Sequence, residues 1–262
     1  MLGMPARISR TGLTIRRVLG EAAEAEQAVA RFQAAPQGLL RVSAPITLGQ
    51  AVLGPLLPAF LERYPQVRVS LELTSRRVDI LEEGVDVAVR IGSLPDSALL
   101  ARRLGTSRSS LLASPLYLAR RPPPRAPADL ASHTAVDLQL GGDTGRRTWR
   151  MARAGDEAAE VEVEPRLLAN DPGVIRLAVL GGAGLGWLPI FLCADDLAAG
   201  RLVEVLPGWR RPGPDIHAVF PGQRGGAPSP AVRVFVDFLV AVVATAPPWG
   251  DPAVQVPPDA GP

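Results

Sequence analysis

Residues 38–92 read GLLRVSAPITLGQAVLGPLLPAFLERYPQVRVSLELTSRRVDILEEGVDVAVRIG. Within this stretch Val67, Val69, Leu71 and Leu73 alternate with Arg68, Ser70 and Glu72, the period of two that marks a strand with one buried face. Upstream, LLRVSAP reads as a short strand, and TLGQAVLGPLLPAFLERYP sets Val52, Leu53, Leu56, Leu57, Phe60 and Leu61 at helical spacing. Downstream, Ser75 is placed to cap a helix over RRVDILEE, Gly84 to end that helix in the left-handed conformation, and VDVAVRI to form a third strand. Strand, helix, strand, helix, strand specifies an α/β layer with parallel pairing.

Beyond this core, LLASPLYLARRPPPRAPADL turns to proline, which marks a passage into a second unit near Leu111. That unit offers strands at 134–138, 147–151 and 161–168, a helix over 172–180 and a strand over 185–188. The second unit too is α/β, and a helix over FLCADDLAAG, strands at 202–205 and 216–220, and a last helix over 230–244 complete the ordered chain. The closing PPWGDPAVQVPPDAGP has the proline content of a disordered tail over 246–262. At the other end, Ile15, Val18, Ala22, Ala25, Val29 and Phe32 fall in alternating steps of three and four, the seam of a helix that pairs with another copy. Ala34-Ala35-Pro36-Gln37-Gly38 should stop it.

The composition narrows the function classes. The chain has 262 residues, 47% of them hydrophobic and 21% charged, which is a globular mix. All 28 basic residues are Arg, and a net charge of +2 is too small to specify a nucleic-acid-coating surface. Cys193 is the single cysteine, so an internal disulfide is excluded, and with two histidines a His/Cys zinc site is not expected. Arg7, Arg10, Arg16 and Arg17 precede no apolar run of signal-peptide length, which points to the cytoplasm. The most apolar stretch, 232–246, is broken by Arg233 and Asp237 and falls short of the roughly 20 residues a membrane span needs.

Three kinds of catalytic or cofactor signal are weak. GGAGLG at 181–186 leaves a helix and enters a strand, the reverse of a dinucleotide loop, and so reads as a helix stop and tight turn. GGDTGRR at 141–147 lacks the lysine of a phosphate-cradling loop. His133 follows a turn and His217 lies in an apolar strand, both positions for structural histidines. Glu82-Glu83 and Asp195-Asp196 are adjacent pairs expected on solvated helix faces rather than a matched acid and base. No enzyme, cofactor or metal is expected.

Taken together, FLERYP, the alternating strand, EEGVDVAVRIG, LPDSALLARRLG, SPLYLA, GLGWLP and DLAAGRLV, in that order, resemble the effector-binding region of LysR-type transcriptional regulators. The similarity runs from about residue 38 to 244. It implies an α/β, periplasmic-binding-protein-like (type 2) fold of two subdomains with two crossing strands and an effector cleft at the hinge, preceded by a linker helix. Subdomain I would be 38–110 plus 218–245, subdomain II 111–217, and the heptad segment 14–34 the linker helix through which a homodimer or tetramer forms. Residues 1–13 resemble the last part of the family's winged helix-turn-helix, so the chain reads as truncated or mis-started, and promoter DNA is a partner only if that module is supplied. A freestanding solute-binding protein of the same fold is the alternative.

In such a fold, strand ends and helix N-termini face the cleft, where free amides favour anions. Thr47, between the first strand and first helix, can cap that helix or bond a ligand. Thr74 and Ser75 hold the equivalent place after the alternating strand. By resemblance, Arg90 and Ile91 end the third strand at the cleft. Asn170 and Asp171 precede Pro172 at a helix start, where capping and effector contact are both open. The effector class the resemblance implies is a small organic anion or aromatic metabolite.

Overall fold

The computed structural model describes residues 35–76, 78–94, 98–139, 145–153, 157–222, 228–245 and 249. The wing-like segment and the heptad helix lie outside these residues.

The stretch that opened the sequence reading builds the first sheet. Strand β1 (Gly38–Ala44) pairs in parallel with β2 (Val67–Leu73) and β3 (Val87–Ile91), and the sheet order is β2-β1-β3-β12-β4. Strands β4 (Leu99–Thr106) and β12 (Asp215–Pro221) close the sheet antiparallel to their neighbours. One face carries Leu40, Val42, Val87, Val89, Ile216 and Ala218 into a core shared with Phe60 and Phe235. Val78, Ile80, Val85, Ala88 and Val219 pack on the other face.

The helix that follows β1 is continuous but irregular. It runs through α1 (Ile46–Leu48), a π-turn (Gly49–Leu53) and α2 (Gly54–Arg63), which holds Pro58 inside. A proline ring collides with the carbonyl four residues back in a regular α-helix. Pro55 follows the π-turn after Gly54, whose N–H bonds to the Gly49 carbonyl five residues earlier, so the wider turn takes up the proline's demand.

The helix expected over RRVDILEE is not formed: among the described residues this segment is bends and turns. Both Leu81 N–H and Glu82 N–H donate to the Asp79 carboxylate (3.0 and 3.1 Å), and the Asp79 amide donates to Glu83 Oε1 (3.0 Å). Side chains thus take the amides a helix would use. Ser75 therefore caps no helix, although Gly84 does take φ +64.

The chain crosses at residues 107–108 into a second sheet of order β11-β5-β10-β6-β9. It comprises β5 (Ser109–Ala113), β6 (Ala135–Leu138), β9 (Pro165–Ala169), β10 (Leu185–Pro189) and β11 (Val203–Glu204). The single strand expected over 161–168 is two, β8 (Glu157–Val163) and β9, because β8 turns away to form a hairpin with β7 (Arg147–Arg153). Helix α3 (Pro115–Leu118) starts on the Ser114 cap, α4 (Pro172–Leu180) and α5 (Ile190–Ala198) flank β10, and α6 (Pro230–Thr245) returns to the first core. At the crossing, Ser107 N–H donates to the Pro214 carbonyl (2.9 Å), and a Cβ on Gly213 would stand 1.8 Å from the Ser107 oxygen, so only glycine lets the two crossings touch.

A disordered tail does not describe Trp249, which is 3% exposed and packs into the first core. It fits because Gly105 has no side chain: a Cβ there would lie 2.2 Å from the indole Nε1. The other tail residues, 246–248 and 250–262, lie outside the described set. Among the described residues no helix is long and apolar enough to cross a membrane.

Candidate functional site

Two lobes, one on each sheet, meet where α1 faces α4. Thr47 is 6% exposed in the first turn of α1, and that turn begins on Pro45 with no side-chain cap. Thr47 is therefore not a cap. Among the described residues its hydroxyl has no hydrogen-bond partner but keeps contact with solvent, and its Cγ2 lies 3.4 Å from the position a Cβ on Gly173 would take. Gly173 is the second residue of α4, so the N-terminus of that helix is pressed against the first lobe.

The cap of α4 is Asp171, not Asn170. Its Oδ1 accepts from Gly173 N–H (2.8 Å) and Val174 N–H (3.2 Å), while Asn170 is exposed. This carboxylate supplies negative charge where the helix dipole is positive. The end of α4 is thus already neutralised, which removes the reason for an anion to settle there.

Thr74 lies beside the end of β1, its amide donating to the Ala44 carbonyl (3.0 Å) and its Oγ1 accepting from Arg76 N–H (3.3 Å). Ser75 is exposed. Arg90 and Ile91 part company, as strand neighbours must. Ile91 packs on the first core, whereas Arg90 shares the opposite face with Ala88 and pairs in register with His217. The Arg90 guanidinium also helps draw Glu83 down, an effect led by the Arg76 hydrogen bond that holds the Glu83 carboxyl at about 2. The structure thus brings Thr47 and Asp171 together around Gly173, sets Thr74 at the end of β1, and leaves Arg90 on another face.

Two groups that matter here escaped the sequence reading. Asp196 is 1% exposed, against the expectation of a solvated face. Arg201 Nε donates to its Oδ1 (2.8 Å) and Arg176 Nε to its Oδ2 (2.5 Å), which ties α4 to α5. At the crossing, Arg103 (2.9 Å) and Thr106 (2.7 Å) donate to Asp215, and these bonds, led by Arg103, hold its carboxyl below the ordinary value. The two histidines differ: His217, in β12, keeps a buried Nδ1 without a hydrogen-bond partner among the described residues, whereas His133 is bonded. His133 Nδ1 meets Tyr117 Oη at 3.0 Å and its pKa is lowered, first by burial and then by Arg121. Among the described residues no cluster of His, Cys, Asp and Glu could hold a metal.

Known proteins share this arrangement. An HTH-type transcriptional regulator of Xanthomonas campestris pv. campestris is 37% identical over 86% of this chain, which spans 65% of that relative's length. The HTH-type transcriptional regulator PtxR of Pseudomonas aeruginosa is 36% identical over 86% of this chain and 70% of its own. The solved regulatory domain of CrgA, a LysR-type transcriptional regulator from Neisseria meningitidis, superposes with a TM-score of 0.68 at 33% identity, covering 79% of this chain and 98% of that one. The two-sheet architecture is therefore the periplasmic-binding-protein-like type 2 fold of these regulatory domains. Since residues 33–244 match the LysR substrate binding domain, the chain belongs to the LysR family of transcriptional regulators.

Proposed function

We propose that the cleft between the lobes binds a small organic effector, and that this chain is the sensing part of a LysR-type regulator acting in the cytoplasm. The observation that carries the reading is Thr47: a hydroxyl on a buried residue, without a partner among the described residues, set against the N-terminus of a helix from the other lobe. That hydroxyl keeps contact with solvent, so a ligand's hydrogen bond there replaces one to water, for a net gain of about 0.5–1.5 kcal/mol. The α1 turn, uncapped by any side chain, offers amides to an anionic group, whereas Asp171 at α4 repels one and accepts from a donor. An organic acid with its carboxylate toward Thr47 and a hydroxyl or amine toward Asp171 fits both walls, with or without an aromatic ring. Pairing of chains through Ile15, Val18, Ala22, Ala25, Val29 and Phe32, and DNA contact through a helix-turn-helix, belong to the same proposal.

Thermal-shift screening of small organic acids tests it. Once a stabilising acid is found, Thr47→Ala is expected to weaken its binding by about 0.5–3 kcal/mol, so the ligand-induced rise in Tm shrinks more than the ligand-free Tm falls. A full ligand response in Thr47→Ala would remove Thr47 from the site.

A further inference from the structure

Helix α5 serves two cores at once. Cys193 and Leu197 pack into the second lobe with Ile175 and Val179, yet Phe191, 9% exposed, belongs to the core of the first lobe with Val52 and Leu53, and Leu192 touches both. The helix starts at the crossing, where Ile190 N–H donates to the Arg108 carbonyl (2.9 Å), and it packs against the π-turn. That turn is the weak link of its helix. It is bounded by Gly49 and Gly54, followed by two prolines that donate no amide, and built on the poorer i to i+5 spacing.

We propose that Phe191 is a positioning residue that makes cleft closure and ordering of the π-turn a single event. The side chain that completes the core beside the turn comes from the opposite lobe, so opening the cleft withdraws it and loosens the helix that presents Thr47. The two arrangements of a packed contact, seated and withdrawn, supply the bistable element such coupling needs. The coupling requires no ligand, so it stands or falls apart from the effector reading.

A cross-link tests it in the full chain. The 3.4 Å approach of Thr47 Cγ2 to a Cβ on Gly173 suits a disulfide between Thr47→Cys and Gly173→Cys once the Asp171 carboxylate, 2.7 Å from that Cβ, shifts aside. Native Cys193 is fully buried with its thiol pushed up to about 12 by burial, and does not compete. Oxidation of the pair is expected to slow hydrogen exchange of the amides of residues 49–54 by about tenfold or more relative to the reduced protein. With Phe191→Ala added, the same oxidation should change those rates by less than about twofold, and Phe191→Leu should restore most of the effect. Failure of the pair to cross-link, equal protection with and without Phe191, or no protection with Phe191 present would each overturn the proposal. If Phe191→Ala does not fold, Phe191→Val carries the comparison, and coupling undiminished by that much smaller side chain overturns it.

Discussion

Replacing Asp196 by Ala removes the one carboxylate that two guanidinium groups share beneath the cleft wall. Asp196 is 1% exposed, the Arg176 side chain 27% and the Arg201 side chain 55%. Removing one partner of a buried ion pair costs about 3–5 kcal/mol, because the remaining charge is stranded. Arg201 regains water in the variant, and its share belongs near the roughly 0–1 kcal/mol of surface pairs. The loss therefore falls on Arg176 and should come to about 3 kcal/mol, the low end of the buried range. The Asp196 main-chain carbonyl, which accepts from Arg201 and Leu202 amides, is untouched. For a body of about 200 residues each kcal/mol lowers Tm by roughly 2–4 °C, so differential scanning calorimetry should find Asp196→Ala some 6–12 °C lower, with Arg201→Ala down by no more than about 4 °C. An apolar pair, Asp196→Leu with Arg176→Met, should recover most of the loss. A drop under about 2 °C for Asp196→Ala, or an equal drop for Arg201→Ala, would refute the assignment of Arg176 and Asp196 as the tie between α4 and α5.

Two further outcomes follow from single contacts. A Cβ on Gly184 would stand 2.3 Å from the Thr134 carbonyl oxygen, which also accepts Leu185 N–H, so Gly184→Ala should cost about 1–3 kcal/mol in urea unfolding, where Gly181→Ala, meeting nothing nearer than 3.4 Å, should not. The Glu83 carboxyl, held at about 2 chiefly by Arg76, gives a contribution that is fully present above about 4.5 and is lost progressively as pH falls from there through about 2. Carbon chemical shifts of Glu83 should report that midpoint, and Arg76→Ala should return it toward 4.5.

How far the fold was legible depended on whether local signals and burial agreed. The alternation of β2 and the doubly marked helix α4, with Asp171-Pro172 before it and Gly181-Gly182 after it, were readable because each carries its own boundary. RRVDILEE misled because helical composition concealed two side chains, Asp79 and Glu83, that capture local amides, and because Val78 and Ile80 are both buried at a spacing no single helix face provides. In the site, Thr47 and Asp171 could be named from their places at element ends. Their meeting came only from the family resemblance and not from the residues themselves, because the small Gly173 between them looks like any helix start. Asp196 was misread for a related reason: its partners Arg176 and Arg201 come from outside its helix, and adjacency to Asp195 suggested a solvated pair. Phe191 fits the apolar face of α5 so well that no pattern in the sequence divides it from Cys193.

The burial of Trp249 has an optical consequence. Of the four tryptophans, Trp149, Trp187 and Trp209 crowd into the second lobe, with Trp149 and Trp187 edge to face at 6.4 Å, while Trp249 stands apart in the first. The indole emission of the chain is therefore already sorted by lobe. A Trp249→Phe chain emits from one lobe alone, and subtracting its spectrum from that of the parent leaves the light of the other, so each half can be watched separately in an unmodified solution of the protein.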